Sequence, residues 1–123
     1  MKIKVSEATN IQLDWMVTSI EFRLAVEPVK EWVMERHTAG QYQHPYSTDW
    51  SQGGPIIERE AVAVSPVRPS DGYGWVARIW HGKPRMFNDF PVTYGPKPLI
   101  AAMRCYVASK LGDEAEVPDE LTS

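Results

Sequence analysis

A chain of 123 residues, 43% hydrophobic and 24% charged, has the material for one hydrophobic core and no room for a second, and its composition excludes disorder along its length. Its formal net charge is -3, with Lys and Arg scattered rather than blocked, so direct DNA binding through the phosphates is not expected. A single cysteine, Cys105, excludes a disulfide framework within these residues, and no apolar run is long enough for a membrane span or a signal-peptide core, which points to a cytoplasmic setting.

Lys2 to Val5 alternates polar and apolar residues as a short strand does, and Ser6, Thr9 and Asn10 each offer an oxygen to cap a following helix. That helix should run to about Phe22. Leu13, Met16, Val17 and Ile20 form its main apolar face, while Ile11, Trp15, Thr18 and Phe22 form a second stripe. The second stripe either packs inside the fold or serves as a subunit contact or pocket wall. Glu27-Pro28 opens a second helix that Gly40 ends, with Arg36 placed to rest on the Trp32 ring.

Tyr46 to Arg59 concentrates hydroxyls, a carboxylate, an indole, an amide and two adjacent glycines, the composition of a binding loop. Ser47, Thr48 and Asp49 can each cap a helix or a turn. Gly53-Gly54 reads as a corner with backbone angles that only glycine tolerates, and Pro55 as the first residue of a short helix. Free N–H groups beside those glycines would suit an anion or a carbonyl oxygen. No Lys-Ser/Thr pair follows them, which argues against a nucleotide-hydrolysing loop.

Ala61 to Val67, interrupted at Ser65-Pro66, and Trp75 to Trp80 read as antiparallel strands across the turn Pro69-Ser-Asp-Gly72, with Arg85 to Asn88 as a third strand. Tyr94-Gly-Pro-Lys-Pro leads stiffly into a last helix, Leu99 to Leu111, stopped by Gly112. Leu99, Ile100, Met103, Tyr106 and Val107 cover one side of it, and the small Ala101, Ala102, Cys105, Ala108 and Ser109 the other, so it should be buried on most sides. Asp113 to Ser123 reads as a solvated acidic tail. The expected architecture is a single α+β domain over residues 1–112. A small antiparallel sheet of three to four strands packs with three to four helices, the last of them central, and the acidic tail 113–123 follows.

Arg104 is the most informative charge, set in an otherwise apolar stretch of the last helix. A guanidinium there needs an anionic or carbonyl partner, and Asp49, Glu58, Glu60 or a ligand anion are the candidates. His37, His44 and His81 lack the spacings of a metal site and read as solvent-facing. Ser47 and Asp49 lack the strand-turn-helix setting of a nucleophile, and Cys105 reads as an inert packing residue. Trp50, in a polar glycine-rich run, is either a hydrophobic plug or a stacking surface. These readings nominate no catalytic residue, metal ligand or cofactor. They nominate a ligand-binding set of Tyr46, Ser47, Thr48, Asp49, Trp50, Gln52, Gly53, Gly54, Tyr94 and Arg104.

Two runs, Tyr46 to Glu60 and Pro98 to Gly112, together with the opening Met1-Lys-Ile-Lys-Val-Ser-Glu and the segment Leu13-Asp-Trp, resemble the NinX family of small proteins from tailed phages and prophages. The resemblance implies a phage accessory protein in the cytoplasm of a bacterial host and carries no activity or catalytic residues with it. Two functions stand beside it. One is a non-enzymatic binding module that captures a small anionic, nucleotide-like host signal and so blunts host defence. The other is an interaction module, in which the central loop is structural and the second stripe of the first helix binds a host or phage protein; self-association is left open. A small enzyme stands third.

Overall fold

In the computed structural model of the protein, residues 1–22, 44–68, 74–79 and 91–121 are described. The helix Pro98–Leu111 begins with proline in its first turn, where a missing N–H costs no helical bond, and ends at Gly112, whose φ of 89° suits glycine. Its large side chains (Leu99, Met103, Tyr106, Val107) and its small ones (Ala101, Ala102, Cys105) are all buried. A helix without an exposed stripe has to be enclosed by other elements.

In chain order these are β1 (Lys2–Lys4), α1 (Asn10–Phe22), α2 (Trp50–Glu60), β2 (Val62–Pro66), β3 (Trp75–Ile79), β4 (Val92–Gly95), α3 (Pro98–Leu111) and β5 (Glu114–Glu116), with 3-10 turns at Val5–Glu7 and Asp119–Leu121. The fold is α+β, and the described residues form two small antiparallel sheets of three and two strands. In the larger, β2, β3 and β4 lie side by side, with Val62 opposite Ile79 and Ala77 opposite Thr93. This register turns Val62, Ala77, Ile79 and Thr93 toward α3, where the buried aliphatic side chains contribute about 1.5–3 kcal/mol each. The Thr93 hydroxyl donates to the Ala101 carbonyl at 2.8 Å, which satisfies a buried polar group at the sheet-helix contact. β4 can approach so closely because Gly95 has no side chain, since a Cβ there would lie 2.8 Å from the Ala101 backbone nitrogen.

Several expectations are corrected. Among the described residues the sheet gains a strand that was not expected, Val92–Gly95, so Tyr94 lies in the sheet and not in a connector. Ser65-Pro66 does not interrupt β2, which runs through Pro66 on an edge of the sheet, where the missing N–H removes no ladder bond. The second stripe of α1 follows the first of its two readings and packs inside the fold: Trp15 and Thr18 are buried, Ile11 is partly buried, and only Phe22 is half-exposed. The proposed second helix up to Gly40, with Trp32, Arg36 and His37, and the segment of His81 and Arg85 to Asn88, lie outside the described residues.

The acidic end is also not a solvated tail up to Leu121. β5 pairs with β1 so that Glu114 and Glu116 stand opposite Lys4 and Lys2, while Ala115 turns inward. The acids face water beside opposite charges, and Ala115, Val117 and Leu121 enter the core. Val5 N–H to Asp113 O at 2.9 Å and Val117 N–H to Met1 O at 3.0 Å extend the pairing at both ends. Truncation after Gly112 should therefore lower the unfolding free energy by about 3 kcal/mol or more, from the apolar area exposed. Urea denaturation checks this, and an unchanged midpoint would contradict the docked end.

Candidate functional site

α2 starts at Asp49, and its glycines lie inside it. The Asp49 backbone is extended (φ -118°, ψ 110°), and its carboxylate accepts from the Ser51 amide at 2.9 Å and the Ser51 hydroxyl at 2.6 Å, a side-chain N-cap. These bonds from Ser51, with a smaller one from Gln52, hold the Asp49 carboxyl below its ordinary range. The Gly53 N–H donates to the Asp49 carbonyl at 2.9 Å, and among the described residues a positive φ occurs only at Ala61 and Gly112. The expected Gly53-Gly54 corner, with free N–H groups for an anion, is therefore absent. Pro55 sits within the helix and removes only a bond to the carbonyl of Ser51, an exposed residue.

What Gly53 supplies is closeness. A Cβ there would lie 2.5 Å from Leu99 Cδ1 and 2.5 Å from the Tyr46 carbonyl oxygen, so α2 can rest on α3 and on the preceding loop only without one. That loop is held from α1. The fully buried Asp14 accepts the Ser47 N–H at 2.8 Å, and the Ser47 hydroxyl donates to Asn10 O at 3.4 Å. Tyr46 is buried, and His44, expected to face solvent, packs its ring between Phe22 (4.9 Å) and Tyr46 (5.9 Å). Thus Tyr46, Ser47, Asp49 and Gly53 hold the fold together, whereas Thr48 and Trp50 are exposed and Gln52 is half-buried.

Trp50, the first residue of α2, is 55% exposed, which makes it an open ring and not a plug. It borders a groove of about 460 Å³, shared with Asn10, Thr48, Pro96, Lys97 and Leu99. Arg104 lines a separate cleft of about 520 Å³ with Ser6, Glu7, Thr93 and Tyr94, and Pro96 borders both cavities. The guanidinium has none of the expected carboxylate partners. Nη1 donates to the Tyr94 carbonyl at 2.8 Å and Nη2 to the Ala8 carbonyl at 3.1 Å, while burial lowers its pKa. Asp49 caps α2, Glu60 bridges Arg59 and Lys110 at 3.1 Å each, and Glu58 is exposed. The nominated residues therefore divide between scaffold, groove and cleft. Gly54 lies half-buried behind Trp50, and half-exposed Tyr94 lends Arg104 its carbonyl.

A second polar cluster was not anticipated. Arg59 grips both oxygens of Glu21 at 2.9 Å each, and the Tyr106 hydroxyl donates to Glu21 at 2.6 Å, which ties α1, α2 and α3 together. Burial alone would raise the Glu21 carboxyl, but hydrogen bonds from Arg59 and Tyr106 outweigh it and hold the group below its ordinary value. Cys105 is buried and its thiol is pushed up to about 11 by that burial, so it is a poor nucleophile. Among the described residues no group of three or more His, Cys, Asp or Glu could hold a metal ion.

Two predictions follow from this geometry. Gly53→Ala should destabilise the protein by about 1–3 kcal/mol through overpacking against a backbone oxygen, whereas Gly54→Ala, whose Cβ would meet nothing nearer than Trp50 at 4.0 Å, should be neutral or stabilise by about 0.5–1 kcal/mol. Chemical denaturation of the pair checks this, and equal effects would contradict it. Because the Glu21 pKa is depressed in the fold, its contribution is complete above its ordinary value of 4.5 and is lost as pH falls through the lower folded value. Glu21→Gln should therefore flatten the acid limb of the stability profile, measured between about pH 6 and about pH 3.

The family described as Bacteriophage P22, NinX matches residues 4–110. No match is found among curated proteins. The matched span takes in all three described helices almost completely, together with the groove and the cleft, and leaves out only the ends of the chain. The chain belongs to the phage NinX family.

Proposed function

We propose that the protein is a non-enzymatic binding module of a phage, working in the cytoplasm of the bacterial host, that captures a small anionic ligand carrying a flat ring. The observation that carries this reading is Trp50, a half-exposed indole over an apolar groove with a cationic residue, Lys97, on its wall. The groove's volume of about 460 Å³ falls within the range of about 300–1,000 Å³ of small-molecule sites. A base stacked on a tryptophan contributes about 1–3 kcal/mol, and lysine supplies the opposite charge for a nucleotide-like ligand. In a phage accessory protein such capture would lower the free concentration of a host signal and blunt host defence.

A panel of mono-, di- and cyclic nucleotides in thermal-shift and calorimetric titrations tests the proposal. A ligand at a hundred times its dissociation constant should stabilise the fold by about 2.7 kcal/mol. Trp50→Ala should weaken binding about tenfold to a hundredfold and leave the unliganded stability nearly unchanged, because the ring is largely in water. Failure of every nucleotide to stabilise the protein at high concentration would refute the reading.

A protein partner is the second reading, favoured by the same indole, since exposed tryptophan is a common interface anchor. In the second stripe of α1, Trp15 and Thr18 are buried and not available for it. Recovery of one host or phage protein from infected cells by the wild type and not by Trp50→Ala would support this reading over the first.

A further inference from the structure

Among the described residues, Arg104 carries a charge that its surroundings leave unbalanced: its two bonds go to neutral carbonyls, its Nε–H is buried and meets no acceptor, and it forms no ion pair. Uncompensated burial of a guanidinium is unfavourable, and an anion arriving at its open side would relieve the imbalance. The bond from Nη1 to Tyr94 O is on that exposed side, where the cleft of about 520 Å³ opens. Among the described residues, the other charged group lining the cleft is Glu7, which is exposed and forms no ion pair with Arg104.

These two charges limit what the cleft can take. A group with one negative charge gains Arg104 and leaves Glu7 able to accept a hydrogen bond from a neighbouring hydroxyl or amine. A group with two negative charges has one offset by Arg104, and the second meets Glu7 with no further cation among the described lining residues to balance it. Pro96 borders both the cleft and the Trp50 groove, so the two cavities adjoin. Building on the Trp50 reading above, we infer that the Arg104 cleft holds a monoanionic group, a phosphodiester or a carboxylate, of the same ligand whose ring rests on Trp50, and that Glu7 selects against a dianionic phosphomonoester.

Calorimetric titration of the full chain with adenosine, adenosine 5′-carboxylate, adenosine 3′,5′-cyclic monophosphate and adenosine 5′-monophosphate tests the inference. At least one of the two monoanions should bind about tenfold or more tighter than adenosine, and which one does so separates carboxylate from phosphodiester. The monophosphate should bind more weakly than that monoanion. Glu7→Gln, a change at an exposed residue that leaves Arg104 untouched, should close this gap without weakening the monoanion. Adenosine binding as tightly as both monoanions would overturn the cleft while leaving the Trp50 groove standing. A monophosphate that binds best in the wild type, or a gap that survives Glu7→Gln, would overturn the role of Glu7 and with it the inference. Absence of binding across the whole series would overturn both this inference and the reading on which it rests.

Discussion

A helix enclosed on every side admits neighbours only where they shrink to fit it, and α3 imposes that constraint on the rest of the chain. β4 meets it through Gly95, and α2 meets it through Gly53. The sheet β2-β3-β4 supplies one wall, and α1 packs Leu13, Met16 and Val17 into the same core. The chain end closes the structure by pairing β5 with β1, which brings Ala115 and Val117 inside. At these two contacts the glycines provide close approach between elements and not unusual backbone angles.

The candidate site is a consequence of that packing. Gly53 sets α2 down on α3, Asp49 fixes where α2 begins, and Asp14 holds the loop before it through the Ser47 amide. With the start of α2 fixed at these three points, its first residue, Trp50, is left 55% exposed beside the groove. Arg104 is oriented by the same architecture. It leaves α3 between β4 and the turn before α1 and bonds to a carbonyl from each, Tyr94 and Ala8. Groove and cleft adjoin at Pro96 because the tight connection from β4 to α3 passes between them.

The long elements were legible in the sequence because their periods repeat: α1 from Leu13 to Val17, α3 from Leu99 to Val107, and the β2 and β3 pair across one strong turn signal. Short elements were legible only in part: the alternation of Lys2 to Val5 marked β1, but β4 and β5 were missed. β4 has four residues, and in the three-residue β5 the inward Ala115 is hidden between two glutamates. Gly53-Gly54-Pro55 looks like a turn on local propensity, but the Asp49 cap and the contact with Leu99 override it. Arg104 stood out as an isolated charge. Its partners could not be read, because backbone carbonyls belong to every residue alike. Asp14 was passed over because its partner is also a backbone group, and the Glu21 to Arg59 pair because its members are far apart in the chain.

All of this converges on one physical claim, that packing of α2 on α3 leaves Trp50 open to solvent while Trp15 is sealed in the core. Labelling the protein with 5-fluorotryptophan resolves its five tryptophans by fluorine NMR, and a Trp50→Phe variant identifies the resonance concerned. With a soluble paramagnetic agent added, the account predicts strong broadening of the Trp50 signal, 55% exposed, and little change at Trp15, 2% exposed. A Trp50 signal as well shielded as that of Trp15 would contradict it, because the indole would then be a plug and the groove beside it would have no stacking surface to offer.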